Sequence, residues 1–437
     1  MAHKKMLTDR SNNASIMQKT HILWQKYLTR YGETPLPDAP QQLSTAWQNV
    51  LVIPAYRESP AFIHNLQAFC KSQQGLLVIV VLNRPESDTD TNSNKPLRDA
   101  IHALPPSHLS ANLFSLGANN HLLLIDRERQ VGATPAQQGV GAARKLGCDS
   151  ALQWILQGCI ASDWICCTDA DARLPEDYFS RLPRAQHFSA AVFPYTHEQL
   201  PMHHAHYRIA QATQVYERRL YQYVNGLKRA GSPYAFHTLG SAMAVSADCY
   251  AKVRGFPKRA GAEDFYLLNK LAKLKPAASL DGQPIRIAPR DSDRVPFGTG
   301  PAVKALLAQD DLDSAEIFYD ERVFDGLKAV LDSAGDLFDK NNTLASVFSE
   351  VDRELRDVLV EQLTALGIDK ALEHCRQQSA DRQSFLRHFH QWFDGFRSLK
   401  LIRGLEQLYG KTSLRCLRHD EGQRKRGERK RRTGVME

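Results

Sequence analysis

Five short apolar runs, each closed by polar or turn-forming residues, punctuate the first half of the chain. They are NVLVIPAY from Asn49, LLVIVVLN from Leu76, HLLLIDRE from His121, WICCTDA from Trp164 and AAVFPY from Ala190. Runs of Val, Ile and Leu this short and this unbroken predict strands covered on both faces. Between them the apolar positions change to helical spacing, in SPAFIHNLQAFCKSQ after the first run and GAARKLGCDSALQWILQGC before the fourth. The alternation predicts an α/β domain: a mainly parallel sheet with flanking helices. From about Pro301 onward strand signals vanish, and segments such as LRDVLVEQLTALGIDKALEHC and FLRHFHQWFDGFRSLKLIRGLEQLYG have helical spacing. A helical stretch around Ile16 to Tyr31, followed by the Pro-rich ETPLPDAPQQ, reads as an extension and linker. The expected organisation is an extension over 1–46, the α/β domain over 47–300, a helical region over 301–415 and a basic tail over 416–437.

Composition narrows this picture only in places. With 437 residues, 43% hydrophobic and 24% charged, the chain has an ordinary globular make-up. No apolar stretch approaches the ~20 residues of a membrane-spanning helix, and no apolar segment follows the early lysines of MAHKKMLTDRSNNAS. The eight cysteines form no C-x-x-C pair, and several sit inside apolar runs. They are expected to be reduced core thiols, and the protein cytoplasmic. Much of the net charge of +8 lies in the tail RKRGERKRRTGVME. Like-charge blocks usually stay solvated, and no aromatic interleaves with these charges, so no nucleic-acid partner is expected. Weak peripheral contact of the tail with anionic lipid is a further expectation.

The fourth apolar run ends abruptly in Asp169-Ala170-Asp171. Ligands of open α/β sheets bind beyond the carboxyl ends of strands. If the extended geometry persists, the two carboxylates point the same way and repel unless a cation lies between or before them. Oxygen pairs of this kind suit Mg²⁺ or Mn²⁺, whereas a solvated turn is the plainer reading. Three other segments follow the same scheme. VIPAYRES carries Tyr56, Arg57 and Glu58 after the first strand. GVGAARKLGCDSAL opens a helix with glycines and places Arg144 and Lys145 in its first turns. GSAMAVSADCYAKVRGFPKRAGAEDFYLLNKL ends in Glu263-Asp264 at the start of a helix with Leu267, Leu268, Leu271 and Leu274 on one face.

In this order the four segments resemble the family 2 glycosyltransferases of the GT-A fold, over about Asn49 to Gly300. The resemblance implies a nucleotide-sugar donor, a divalent cation (Mn or Mg) and a single inverting displacement. Pro54, Tyr56, Glu58 and Asn83 would line the donor pocket with Arg144, Lys145 and Asp169. Asp169 and Asp171 would hold the metal. Asp264 would be the general base, with Glu263 as its accessory. Three departures stand out: Asn83 where the family usually has an aspartate, Lys145 where many members have Asn, and no Q-x-x-R-W motif of processive synthases. A non-processive enzyme follows, its acceptor (glycan, lipid-linked or small molecule) left open. Arg290 and Arg294, in the Gly/Pro-rich RDSDRVPFGTGPAV, would either close over the donor diphosphate or belong to an exit loop. His237 is either a further metal ligand or acceptor contact or a structural histidine. The aromatic-rich stretch from His203 to Phe236 would serve sugar binding or core packing.

Competing classes are few. GVGAA fits a dinucleotide fingerprint, but RERQVGATPAQQ separates it from the preceding strand, against a Rossmann dehydrogenase. There is no G-x-x-x-x-G-K-[ST] for a P-loop enzyme. A catalytically silent nucleotide-sugar-binding or scaffolding protein of the same fold is the alternative, and a retaining mechanism is a further one.

Overall fold

The computed structural model describes residues 18–294 and 298–418. The chain forms two compact units. Unit 1 holds residues 18–196, 238–288 and 298; unit 2 holds 197–237, 289–294 and 299–418. The units therefore do not part at one point near residue 300. The stretch 197–237, which interrupts unit 1 in sequence, belongs with the C-terminal helices.

Unit 1 is a mixed α/β sheet with flanking helices. Its strands are β1 (Asn49–Ala55), β2 (Leu76–Leu82), β3 (Leu113–Gly117), β4 (Asn120–Asp126), β5 (Trp164–Cys167), β7 (Ala190–Val192), β9 (Met243–Ser246) and β10 (Ala277–Ser279). They lie in the order β10-β7-β9-β5-β1-β2-β4-β3. β1 is parallel to both β2 and β5, and β2 to β4. The chain ends of these four strands, at Ala55, Leu82, Asp126 and Cys167, therefore line one edge. β10 is parallel to β7, while β3–β4, β5–β9 and β7–β9 are antiparallel. All seven residues of β2 are buried, as a strand covered on both faces requires. A small second sheet joins β6 (Ala172–Arg173), β11 (Ile285–Ile287) and β8 (Tyr195–His197).

The helices of unit 1 are α1 (18–31), α2 (Ala61–Cys70), α3 (Lys95–His102), α4 (Arg127–Val131), α5 (Gly139–Leu156), α7 (Ala247–Lys252) and α8 (Glu263–Leu271). Fourteen of the eighteen residues of α5 are buried, so it has no solvent-exposed face and acts as a core element.

Unit 2 packs α6 (Tyr207–Arg229) with α9 (Thr299–Leu307), α10 (Arg322–Ser333), α11 (Leu344–Val347), α12 (Arg353–Ala365), α13 (Ile368–Gln377), α14 (Arg382–Trp392) and α15 (Gly395–Tyr409). The apolar stripes of α6 and α10 to α15 meet in a core that includes Leu227, Phe324, Leu359, Phe389 and Leu401, while α9 packs with α6 in a smaller one through Ala212, Val215, Val303 and Leu306. Asp352, Asp381 and Asp394 cap α12, α14 and α15 by accepting backbone N–H bonds. One expectation is corrected here: strands do not vanish after Pro301. β12 (Glu316–Tyr319) and β13 (Lys411–Ser413) pair antiparallel across almost a hundred residues. Strands of three and four residues are too short to show a period of two. Leu274 is a second correction, since it lies beyond the end of α8 and is 46% exposed. All eight cysteines are free thiols and seven are buried; Cys416 is exposed. No helix among the described residues is long and apolar enough to cross a membrane. The tail from residue 419 lies outside the described residues.

Candidate active site

The parallel strand edge gathers chemistry around one guanidinium. Gly141 brings the start of α5 against the loop before α8: its N–H donates to Arg259 C=O at 3.0 Å, and a Cβ there would lie 2.5 Å from Pro257 O. Only glycine allows that approach. One turn later Arg144 is buried and donates to three acceptors. Nη2 reaches Asp169 Oδ1 at 2.6 Å, Nε reaches Glu263 Oε1 at 2.8 Å and Nη1 reaches Gly240 C=O at 2.9 Å. The neighbouring carboxylates outweigh the desolvation that would lower the guanidinium's pKa, so it is raised and the group stays charged. Gly240 is required where it stands, because a Cβ would meet Arg144 Nη2 at 2.3 Å.

Asp169 follows β5 directly and its side chain is 30% exposed, against 5% for Glu263. The extended geometry does not continue into Asp171. The segment turns, with Ala172 N–H donating to Asp169 C=O at 3.1 Å, and Asp171 C=O accepts from Ala288 N–H at 3.1 Å. Both aspartates are half-buried. Among the described residues no three His, Cys, Asp or Glu side chains group closely enough to hold a metal ion.

Asp264 stands at the start of α8, after Ala262 in the left-handed region at φ 56°. Its Oδ2 accepts from Gly240 N–H and its Oδ1 from Phe265 N–H, both at 2.7 Å. Burial, reinforced by the charge of Glu263, pushes its carboxyl up to about 7. Arg144 and the two backbone donors restrain the rise. Gly240 thus touches both halves of the cluster, giving its N–H to Asp264 and its C=O to Arg144.

The turn after β1 is held by residues that sequence reasoning missed. Arg57 sits at φ 53°, a conformation that costs a non-glycine residue about 1–3 kcal/mol. Its N–H donates to Asn94 Oδ1 at 3.0 Å. Asp88 accepts from Tyr56 OH at 2.8 Å and pairs with Arg57 Nη2 at 3.3 Å. Burial raises the Asp88 carboxyl, but the Ser93 and Tyr56 hydroxyls, Asp90 N–H and Arg57 outweigh it and bring it to about 2. Asn94 also donates to Asn83 C=O and to Glu128 Oε2, both at 3.2 Å, and Glu128 in turn pairs with Arg84 and Arg98. The only sequence signal was the density of Asp, Ser and Asn in RPESDTDTNSN, which marks side chains that bond nearby backbone. Pro54 is buried in β1, and Glu58 is half-buried in the turn. Asn83 is 5% exposed, and its side-chain oxygen accepts the Thr134 hydroxyl.

Within unit 1, one expected donor residue does not join this cluster. Lys145 Nζ donates instead to Tyr27 OH at 2.7 Å and Asp149 Oδ2 at 2.8 Å. Arg290, Arg294 and His237 belong to unit 2. Arg294 is half-buried, its N–H donating to Ser292 Oγ at 3.4 Å. His237 packs edge-on against Tyr221 at 4.5 Å, and burial lowers its pKa to about 4. Glu217 accepts from His197 N–H at 2.6 Å, in the same unit.

No protein-family model and no curated protein matches this chain. Among solved structures it is similar to the mannosyltransferase PcManGT from Pyrobaculum calidifontis in complex with GDP-Man and Mn²⁺. The identity is 15% and the TM-score 0.32, over 87% of this chain and 96% of that one. A mycobacterial protein is similar at 12% identity and a TM-score of 0.31, over 62% of this chain and 78% of the other.

Proposed function

We propose that the chain is a glycosyltransferase, moving a sugar from a nucleotide-sugar donor to an acceptor hydroxyl by a single inverting displacement, with unit 1 as a GT-A-type donor domain. One observation carries the reading. Arg144 ties the carboxylate at the end of β5 to the acidic start of α8, beside a carboxyl pushed up to about 7. A base is most effective with a pKa near the working pH.

In this reading Asp264 accepts the acceptor proton. Its two backbone bonds fix the carboxylate while leaving lone pairs on both oxygens for that proton. Glu263 keeps Arg144 in register. Asp169 and Asp171 offer hard oxygen donors and, being only two, fit a Mg²⁺ or Mn²⁺ that draws its remaining ligands from donor phosphates and water. Held there, such a cation would supply charge neutralisation at the leaving diphosphate. Tyr56, the half-exposed Arg57 and Glu58, set by Asp88 and Asn94, would form the nucleotide side of the pocket.

The test is a thermal-shift panel of UDP-, GDP-, CMP- and dTDP-sugars, each with Mn²⁺ and with EDTA, on the wild type and Asp171→Ala. A true donor raises the melting temperature by mass action. The expected result is one donor that stabilises only with metal, an effect lost in the variant. If no donor stabilises the wild type under any condition, the reading fails and a scaffolding role takes its place.

A further inference from the structure

Unit 2 contains a groove of about 660 Å³ whose chemistry the proposed reaction does not use. Arg218, Tyr221, Asn225 and Arg229 form one wall. Their spacing of three, four and four residues puts them on a single face of α6. Helix faces at that spacing are usually apolar when they face protein; this one carries two guanidiniums, a phenol and an amide. Glu321 and Arg418 also line the groove.

The wall is rigid. Gln222 Nε2 donates to Tyr319 C=O at 2.9 Å, and its Oε1 accepts Tyr319 N–H at 2.9 Å, so the side chain locks α6 to the end of β12. Tyr221 is braced by the ring of His237. Gly226, inside the same face, lets Phe324 pack so closely that a Cβ would lie 2.4 Å from its ring.

The charges do not balance. Glu321 is engaged by Arg229, through its carboxylate and through its C=O at 3.0 Å. Arg418 pairs with Asp313 at 2.5 Å. Arg218 is exposed and has no acidic partner among the described residues, and the Asn225 amide is likewise not engaged. An unpaired guanidinium binds phosphate or carboxylate through two parallel N–H bonds. A tyrosine ring beside it suits a ring-bearing ligand. The volume lies within the range of small-molecule sites.

We propose that this groove is a second small-molecule site, which takes a ring-bearing anion, a sugar phosphate or sugar acid, with the acidic group on Arg218 and the ring against Tyr221. No residue of it belongs to the Asp169 cluster, so it stands or falls apart from the glycosyltransferase reading.

Calorimetric titration of the full chain in EDTA with glucose 6-phosphate, glucuronate and glucose tests it. One of the two anions should bind at millimolar concentration or below, and glucose should not; which anion binds separates phosphate from carboxylate. Arg218→Ala should weaken binding about tenfold or more, the usual loss of a charge-assisted contact. Arg218→Lys should retain part of it, and Asp171→Ala should leave it unchanged. Arg218 is exposed, so an unaltered melting temperature will show that its variants fold. Failure of both anions to bind overturns the site, as does binding that Arg218→Ala leaves intact or that Asp171→Ala abolishes.

Discussion

Arg144 and Lys145 are neighbours on one helix, yet they serve opposite kinds of site. A step of one residue turns the helix by ~100°, enough to send the two cations into different networks. Lys145 meets Asp149, which is fully buried and accepts from four donors: Tyr27 OH at 2.6 Å, Tyr250 OH at 2.8 Å, Lys145 Nζ at 2.8 Å and Glu33 N–H at 2.8 Å. That network is closed and every member holds another, so it fastens α1 to α5. Arg144 also meets buried partners, but one carboxylate of its network, Asp169, keeps 30% exposure. Another carboxyl beside it, Asp264, is held near neutrality. The difference teaches that buried charge alone does not single out a cluster suited to chemistry. The Arg144 network differs from the Lys145 network in having an exit to solvent and a carboxyl near neutrality, and the proposed function rests on that difference.

The largest expected effect tests the open side. If Asp264 is the base, Asp264→Asn keeps the shape and, through its amide oxygen, one of the two backbone bonds, but loses the other and removes the proton acceptor. The turnover number with the donor identified by thermal shift should fall about 10²–10⁴-fold, with little change in donor-induced stabilisation. In the wild type kcat/KM should rise with pH up to about 7 and level off above it, because the base must be ionised. Turnover within a few-fold of wild type would remove Asp264 from that role.

The closed side should answer in stability instead. Asp149→Ala leaves the Lys145 ammonium buried without its carboxylate and strands two phenols. Breaking a buried pair in this way costs about 3–5 kcal/mol. Asp169→Ala should cost about 1 kcal/mol or less in urea unfolding, since Arg144 keeps Glu263 and Gly240 C=O. Equal losses at the two positions would erase the distinction between the networks.

How far this was legible beforehand follows the same line. Long uniform signals survived: all five Val/Ile/Leu runs are strands, and α5 and α8 begin where glycines and the acidic pair announced them. Arg144, Asp169, Glu263 and Asp264 could be named because strand ends and helix starts are fixed by local pattern. Lys145 shows the limit. Its sequence position is as good as that of Arg144, and only the distant Tyr27 and Tyr250 decide which way it serves. Asp88, Asn94 and Gly240 act in part through Tyr56, Arg57 and Asp264, 24 to 37 residues away, and Gly240 also through Arg144, 96 residues away, separations at which a loop's composition carries no register. β12 and β13 pair across almost a hundred residues of intervening chain, which no local pattern reports.

The smallest signal is a pH dependence of stability, which two carboxyls of unit 1 carry with opposite sign. The Asp264 carboxyl rises from an ordinary 3.8 to about 7 in the folded protein, first through burial and then through Glu263. The folded chain therefore holds a proton that the unfolded chain has already lost between about pH 4 and pH 7. Its contribution to stability is fully present below the unfolded value and disappears as pH rises through about 7, with a slope of at most about 1.4 kcal/mol per pH unit for one proton. Asp88 runs the other way. With its carboxyl lowered to about 2, it stabilises above the ordinary 3.8 and loses that contribution only as pH falls towards 2. Unfolding free energies of wild type and Asp264→Asn, measured by urea from pH 4 to pH 8, should therefore differ by an amount that declines up to about 7 and is constant beyond it. A difference that does not vary with pH would mean that Asp264 keeps one protonation state throughout this range, and the Arg144 cluster would then lack the group that can change its proton.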